Sequence, residues 1–146
     1  MKTVLLPYDG SDTAKRALQY LIDLSKDYSG FSVHVLNVQF DPQIYGRSYT
    51  AFIGDALKQL REDTHKYAID MAEQAAALLR EAGINTTAHA SVDTDIAFAV
   101  NELIKSQKCD SIVMGTRGMS GLGNLFLGSV ATRIIHQVDI PVTLIK

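Results

Sequence analysis

Apolar positions along the chain switch between two periods, and each switch marks an element. Val4-Leu5-Leu6 is a short continuous apolar run closed by Pro7-Tyr8-Asp9-Gly10, the pattern of a buried strand. Ala14, Ala17, Leu18, Leu21 and Ile22 then recur at helical spacing, with Ser11 or Asp12 as the cap and Ser29-Gly30 as the stop. Phe31 to Val38 is apolar on both faces, as a central parallel strand should be. Gln39 to Gly54 carries Pro42, Gly46 and Gly54 with little periodicity and predicts a long loop. A long helix is predicted from Asp55 to Ala82, with Leu57, Leu60, Tyr67, Ala68, Met71, Ala75, Leu78 and Leu79 on one stripe and Gly83 as left-handed terminator. Ile84 to Ser91 is a weaker strand rich in small polar residues, expected near a sheet edge. Asp93 or Thr94 can cap a helix that turns Ile96, Ala97, Val100, Leu103 and Ile104 inward. A strand at Ser111–Met114, a glycine-punctuated loop, a helix from Val130 to Gln137 and a last strand Val142–Ile145 behind Pro141 complete the chain.

Five strands alternating with four helices predict an open parallel sheet with helices on both faces and right-handed crossovers. At 146 residues the expectation is one domain spanning 1–146, large enough for a substantial core. A formal net charge of −2 gives no push towards nucleic acid or an anionic membrane, so anion binding must come from local geometry. No apolar run approaches the ~18 residues of a membrane span. Cys109 is the only cysteine, which excludes an intramolecular disulfide and suits a reducing compartment. Pro7 and Asp9 come too soon for a signal-peptide apolar region. The expected location is cytoplasmic.

Two strand ends carry residues that a core does not need. The first strand empties into Asp9-Gly10-Ser11, and the fourth into Gly115-Thr-Arg-Gly118, followed after nine intervening residues by Gly128-Ser129. Ligands of open α/β sheets bind beyond the carboxyl ends of the strands, where strand order reverses. Glycines let backbone N–H groups approach an anion, and a helix start adds free donors and a positive dipole end. The plainer reading leaves the glycines as turns and Asp9-Gly10 as a helix cap. There is no Gly-x4-Gly-Lys-Ser/Thr, so no P-loop, and Phe126 stands where a dinucleotide fingerprint after Gly121-x-Gly123 needs its third glycine.

What remains is Gly-x2-Gly-x9-Gly-Ser. Together with Asp-Gly-Ser after the first strand, Ile-Pro-Val before the last, and the element order, it resembles the ATP-binding branch of the universal stress protein family across the whole chain. The resemblance implies an adenine nucleotide alpha hydrolase-like sheet of order 3-2-1-4-5 and a cytoplasmic, homodimeric, ATP-binding stress-response regulator. It puts adenine against the backbone of Pro7, Tyr8 and Val38, the ribose by Asp9, and the phosphates on Gly115, Gly118, Gly128, Ser129 and Val130, and it counts Met114 and Arg117 among the nucleotide-binding residues. Arg117 can reach a phosphate or simply be solvated. Mg²⁺, if bound, would be carried by the phosphates, with no metal held by the protein alone. Dimerisation is implied through Val142–Ile145, an apolar edge that invites pairing. Neither nucleic acid nor membrane is expected as a partner.

Tyr8 departs from the family, standing where a small or β-branched residue is common; its ring can stack on a base or crowd the pocket. Asn37 stands where a histidine often precedes the second strand's contact. Two rival functions stay open: a slow ATPase, for which no general base or lysine is evident, and a nucleotide-free dimeric interaction module. No efficient catalysis is expected. His34, His65, His89 and His136 show no metal-ligand spacing with one another or with Cys109, and His34 reads as a packed strand residue. Ser120 misses the nucleophile-elbow pattern. Phe40, Tyr45, Tyr49 and Phe52 cluster around the long loop, where they can cover the crevice or pack elsewhere. Ala75-Ala76-Ala77 reads as helix propensity and close packing.

Overall fold

The computed structural model describes residues 1–41, 51–117 and 127–146, without the side chains of 51–53. The elements are β1 (Thr3–Pro7), α1 (Asp12–Asp27), β2 (Ser32–Phe40), α2 (Ala51–Glu81), β3 (Asn85–Asp93), α3 (Ile96–Gln107), β4 (Ser111–Gly115), α4 (Ser129–Gln137) and β5 (Val142–Ile145). All strand pairs are parallel and the order is β3-β2-β1-β4-β5, as expected.

β1 is central because it can be buried on both faces: Val4, Leu5 and Leu6 are each 0% exposed. Strand alternation divides these residues between two cores. Val4 and Leu6 join Val33, Val35 and Val113 against α1 and α2, whereas Leu5 joins Leu36, Ile112 and Met114 against α3 and α4. β3 and β5 form the edges, and their mostly half-buried residues match the weaker apolar signal there.

Three sequence expectations shift. α2 begins at Ala51 rather than Asp55. Gly54, a loop residue by composition, is absorbed inside a 31-residue helix, where one glycine costs only about 1 kcal/mol. The predicted α2 stripe also combines two faces. Ala68, Ala72, Ala75, Ala76 and Leu79 are buried, while Leu60, Tyr67 and Leu78 are exposed. Alanines let the helix lie close on the sheet, and their neighbours about 100° round the helix point elsewhere. Finally, β3 continues to Asp93 because it pairs with β2 as far as Phe40, so the cap of α3 is Asp95 and not Asp93 or Thr94. Asp93 instead accepts the N–H of Asp95 at 2.9 Å. Gly83 has φ +82, the left-handed terminator expected after α2.

Pro42, Tyr45, Gly46 and Tyr49 lie outside the described residues, as do Gly118, Ser120, Gly121, Gly123 and Phe126. Phe40, at the end of β2, is exposed.

Candidate nucleotide site

A crevice opens at the carboxyl ends of β1, β2 and β4, beside the point where strand order reverses. Pro7, Tyr8, Asp9, Val38, Met114, Gly115, Arg117, Gly128, Ser129 and Val130 all line it. These are the sequence-selected residues with the exception of Gly118, which lies outside the described ones. Sequence reasoning missed its apolar wall: Leu36 from β2 and Ile96 and Val100 from α3. Ile96 and Val100 are one helical turn apart in the first turns of α3. That spacing is visible in the sequence, but it reads only as a core face until the topology brings α3 over β2.

The stem of the β4 loop is strapped to the start of α1. The carbonyl of Arg117 accepts from the Ser11 hydroxyl at 3.2 Å and from the Thr13 hydroxyl. Gly115 is required by this closeness. A Cβ there would lie 2.5 Å from Thr13 Oγ1 and 2.7 Å from the Thr13 backbone carbon. Gly10 turns the chain out of β1 with φ +78, and Met71 Sδ lies 3.2 Å from where its Cβ would be. The Ser11 N–H donates to Asp9 Oδ1 at 3.0 Å, which holds the carboxylate at the crevice.

The three described helix starts differ. Ser11 caps α1, its Oγ accepting from the Ala14 N–H at 3.3 Å, and Asp95 caps α3, accepting from the Phe98 N–H at 3.1 Å. Gly128 is the cap residue of α4 and brings no side-chain acceptor. Its own N–H is already used, donating to the Thr116 carbonyl at 2.8 Å. The donors that α4 can offer an anion are therefore the N–H groups of its first turn, at Ser129, Val130 and Ala131. Gly128 therefore lines the crevice with its N–H already engaged and leaves the helix start without a side-chain cap.

Beside the Leu36–Val38 end of the crevice, on the other sheet face, Asn37 holds the end of β1. This residue is 1% exposed, donates its amide to the Tyr8 carbonyl at 2.7 Å, and accepts from Gln39 Nε2 at 2.7 Å. The β1–β2 ladder closes with the Tyr8 N–H donating to the Leu36 carbonyl. The Asn37 amide replaces the next rung, which would have run from Val38 N–H to the Tyr8 carbonyl. Strand alternation turns the N–H and C=O of Val38 in the same direction as those of Leu36, past the end of β1 and into the crevice. The Tyr8 side chain packs in the first core with Leu6, Ala14 and Ala72. Burial, and secondarily the Asp9 carboxylate, raise its phenol above the ordinary value.

Residues 1–146 match the universal stress protein family. The chain belongs to this family. A universal stress protein of Thermus aquaticus is 32% identical over 145 residues, covering 99% of this chain and 98% of the relative. The universal stress protein MJ0531 of Methanocaldococcus jannaschii is 29% identical over 148 residues, covering 99% and 82%. Among solved structures, that of the hypothetical protein MJ0577 superposes with TM-score 0.84 at 23% identity, covering 99% of this chain and 95% of that one. Two others hold adenine nucleotides. A universal stress protein in complex with cAMP has TM-score 0.62 at 21% identity, with 99% and 95% coverage. The universal stress protein of Archaeoglobus fulgidus in complex with dAMP has TM-score 0.59 at 22% identity, with 100% and 98% coverage.

Proposed function

We propose that this universal stress protein, a single domain over residues 1–146, holds ATP in the crevice between β1 and β4 and acts as a cytoplasmic stress-response regulator. The observation that carries the reading is the uncapped start of α4 at one end of an apolar slot. Three first-turn N–H groups and the positive end of the helix dipole await an anion there. At the other end, the N–H and C=O of Val38 offer the donor–acceptor pair that the edge of adenine complements. Leu36, Ile96, Val100 and Met114 supply flat apolar walls for a base. Asp9 can accept from ribose hydroxyls, and Arg117, which lines the same crevice, can donate to a phosphate. The cAMP and dAMP complexes of two family members support an adenine ligand. Mg²⁺, where present, would be carried by the phosphates.

Calorimetry with ATP and Mg²⁺ tests this directly. Saturable binding at one site per chain is expected, weakened at least tenfold by Gly128→Leu, whose side chain would enter the crevice. Absence of heat at millimolar ATP would overturn the reading. A phosphate-release assay on the same two proteins separates holding from hydrolysis, and turnover too slow to regenerate a free site within minutes is expected. Ligand released from protein purified without added nucleotide would identify a nucleotide-free module if none appears.

We also propose a homodimer through β5. Its outer edge has no strand partner among the described residues, and Leu144 is 37% exposed. A sedimentation velocity profile of monomer alone at micromolar concentration would refute it.

A further inference from the structure

At the sheet edge opposite β5, the carboxyl half of β3 presents backbone groups to solvent. The Asp41 N–H donates to the Asp93 carbonyl, so the N–H and C=O of Asp93, and of every second residue before it, point towards β2. Those of Thr86, Ala88, Ala90 and Val92 therefore point outward. Arg80 covers the first of these, its Nε donating to the Thr86 carbonyl at 2.9 Å. The N–H and C=O groups of Ala88, Ala90 and Val92 have no partner among the described residues.

The side chains of these three residues lie on the sheet face that carries Val33 and Val35, the face covered by α2. An open groove of about 690 Å³ runs there between α2 and the Ala90–Val92 end of β3. Its helical wall carries Lys58, Arg61, His65 and Lys66 against one carboxylate, Glu62, and Asp41 reaches Arg61 at 3.5 Å. Ile69, 45% exposed, adds an apolar patch beside them. The opposite face of the strand is engaged, His89 Nε2 and His34 Nδ1 sharing a hydrogen bond at 2.8 Å. We propose that this edge binds an extended acidic segment of a partner protein by strand addition to β3. The segment's backbone pairs with the outward groups of Ala88, Ala90 and Val92, and every second side chain meets the basic wall of α2. Those side chains recur every ~6.6 Å along a strand, close to the ~5.4 Å rise of one helical turn, so acids at alternate positions each find a basic residue. A second copy of this chain fits worse. Arg80 confines pairing to Ala88–Val92, and a two-fold pairing there sets Lys58 and Lys66 towards their own copies. The groove shares no residue with the nucleotide crevice and lies at the other edge from β5, so it stands or falls independently of both readings.

The test is fluorescence anisotropy of a labelled peptide of alternating Glu and Val, titrated with the full-length protein at low salt. Saturable binding is expected, and it should weaken at least tenfold in salt of about 1 M, which screens the charges within ~3 Å. Lys58→Glu combined with Lys66→Glu, both at exposed positions, should weaken it at least tenfold. Ala90→Pro removes one outward N–H, leaves the β2–β3 ladder its bonds, and should do the same. A measurement on the unmodified protein covers the case where a variant fails to fold. Methylating one alternate set of the peptide's amide nitrogens should weaken binding at least tenfold, and methylating the other set should change it little, since only one set faces β3. Bound peptide should also slow hydrogen exchange at the Ala88, Ala90 and Val92 amides. No binding, equal binding of a peptide of alternating Lys and Val, equal effects of the two methylation patterns, or binding unchanged in the Lys58→Glu, Lys66→Glu protein would overturn the proposal.

Discussion

The starts of α1 and α4 flank the same crevice and are built in opposite ways. α1 closes on itself, since the Ser11 hydroxyl takes a first-turn N–H and also donates to the Arg117 carbonyl in the stem of the β4 loop. α3, on the far wall, is closed by the Asp95 carboxylate, which also pairs with Arg133 of α4. α4 alone of the three begins at a glycine with no side chain to satisfy its donors. Helix starts are costly to leave bare, and a side-chain cap is typically worth about 1 kcal/mol. A start left open beside two closed ones, at the mouth of an apolar slot, is how a fold reserves donors for a ligand.

The largest test of this contrast removes the joint between the two starts. Gly115→Val should force β4 away from Thr13, whose backbone lies 2.7 Å from the new Cβ, and overpacking of that kind costs about 1–3 kcal/mol. Chemical denaturation should show the loss, with nucleotide affinity falling alongside. Gly128→Asp is the sharper test, because it closes α4 as α1 and α3 are closed. Stability should hold or rise by a few tenths of a kcal/mol, since glycine is itself a tolerated cap. Nucleotide affinity should fall at least tenfold, about 1.4 kcal/mol, because a carboxylate then sits on the donors. A Gly128→Asp variant that binds ATP as tightly as the parent would show that α4 holds no phosphate.

Ser11→Ala and Asp95→Ala reverse the experiment at the closed starts. Ser11→Ala should lose about 1 kcal/mol of stability in urea unfolding, and Asp95→Ala should be destabilised in the same direction. The smallest effect separates the two caps by pH. The Phe98 N–H first, and Arg133 second, hold the Asp95 carboxyl below its ordinary pKa. Its contribution is therefore complete above the ordinary carboxylate range and is lost as pH falls through the depressed native value. The protection factor of the Phe98 amide should fall under acid, whereas that of Ala14, capped by a hydroxyl, should hold.

Much of the frame is legible in the sequence because it depends on local pattern. The alternation of periods predicts each described strand and helix, Gly83 stops α2 as its position suggests, and the apolar runs of β1 and β4 mark the sheet centre. The errors fall where a local signal has two readings. Gly54 marks a turn by composition but lies in a helix, and Leu60, Tyr67 and Leu78 match helical spacing without facing the core. In the sequence Asn37 stands out only as a departure from the family pattern. Its role as the residue that takes the Tyr8 carbonyl depends on two strands ending side by side. Tyr8, which by sequence can stack on a base or crowd the pocket, packs in the first core.

By itself the sequence determined the α/β class, the two strand ends that carry chemistry and the spacing Gly-x2-Gly-x9-Gly-Ser, because periodicity and glycine placement act over a few residues. Tertiary structure decided which donors are free. The Gly128 N–H donates to the Thr116 carbonyl, and that bond exists only once β4 and α4 are in place. Tertiary structure also brought His34 to His89, since register between parallel strands joins residues that no sequence window contains. Propensity and pattern are local energies; hydrogen-bond partnership across a parallel sheet is set by the crossovers between its strands, and becomes readable only when the chain has closed on itself.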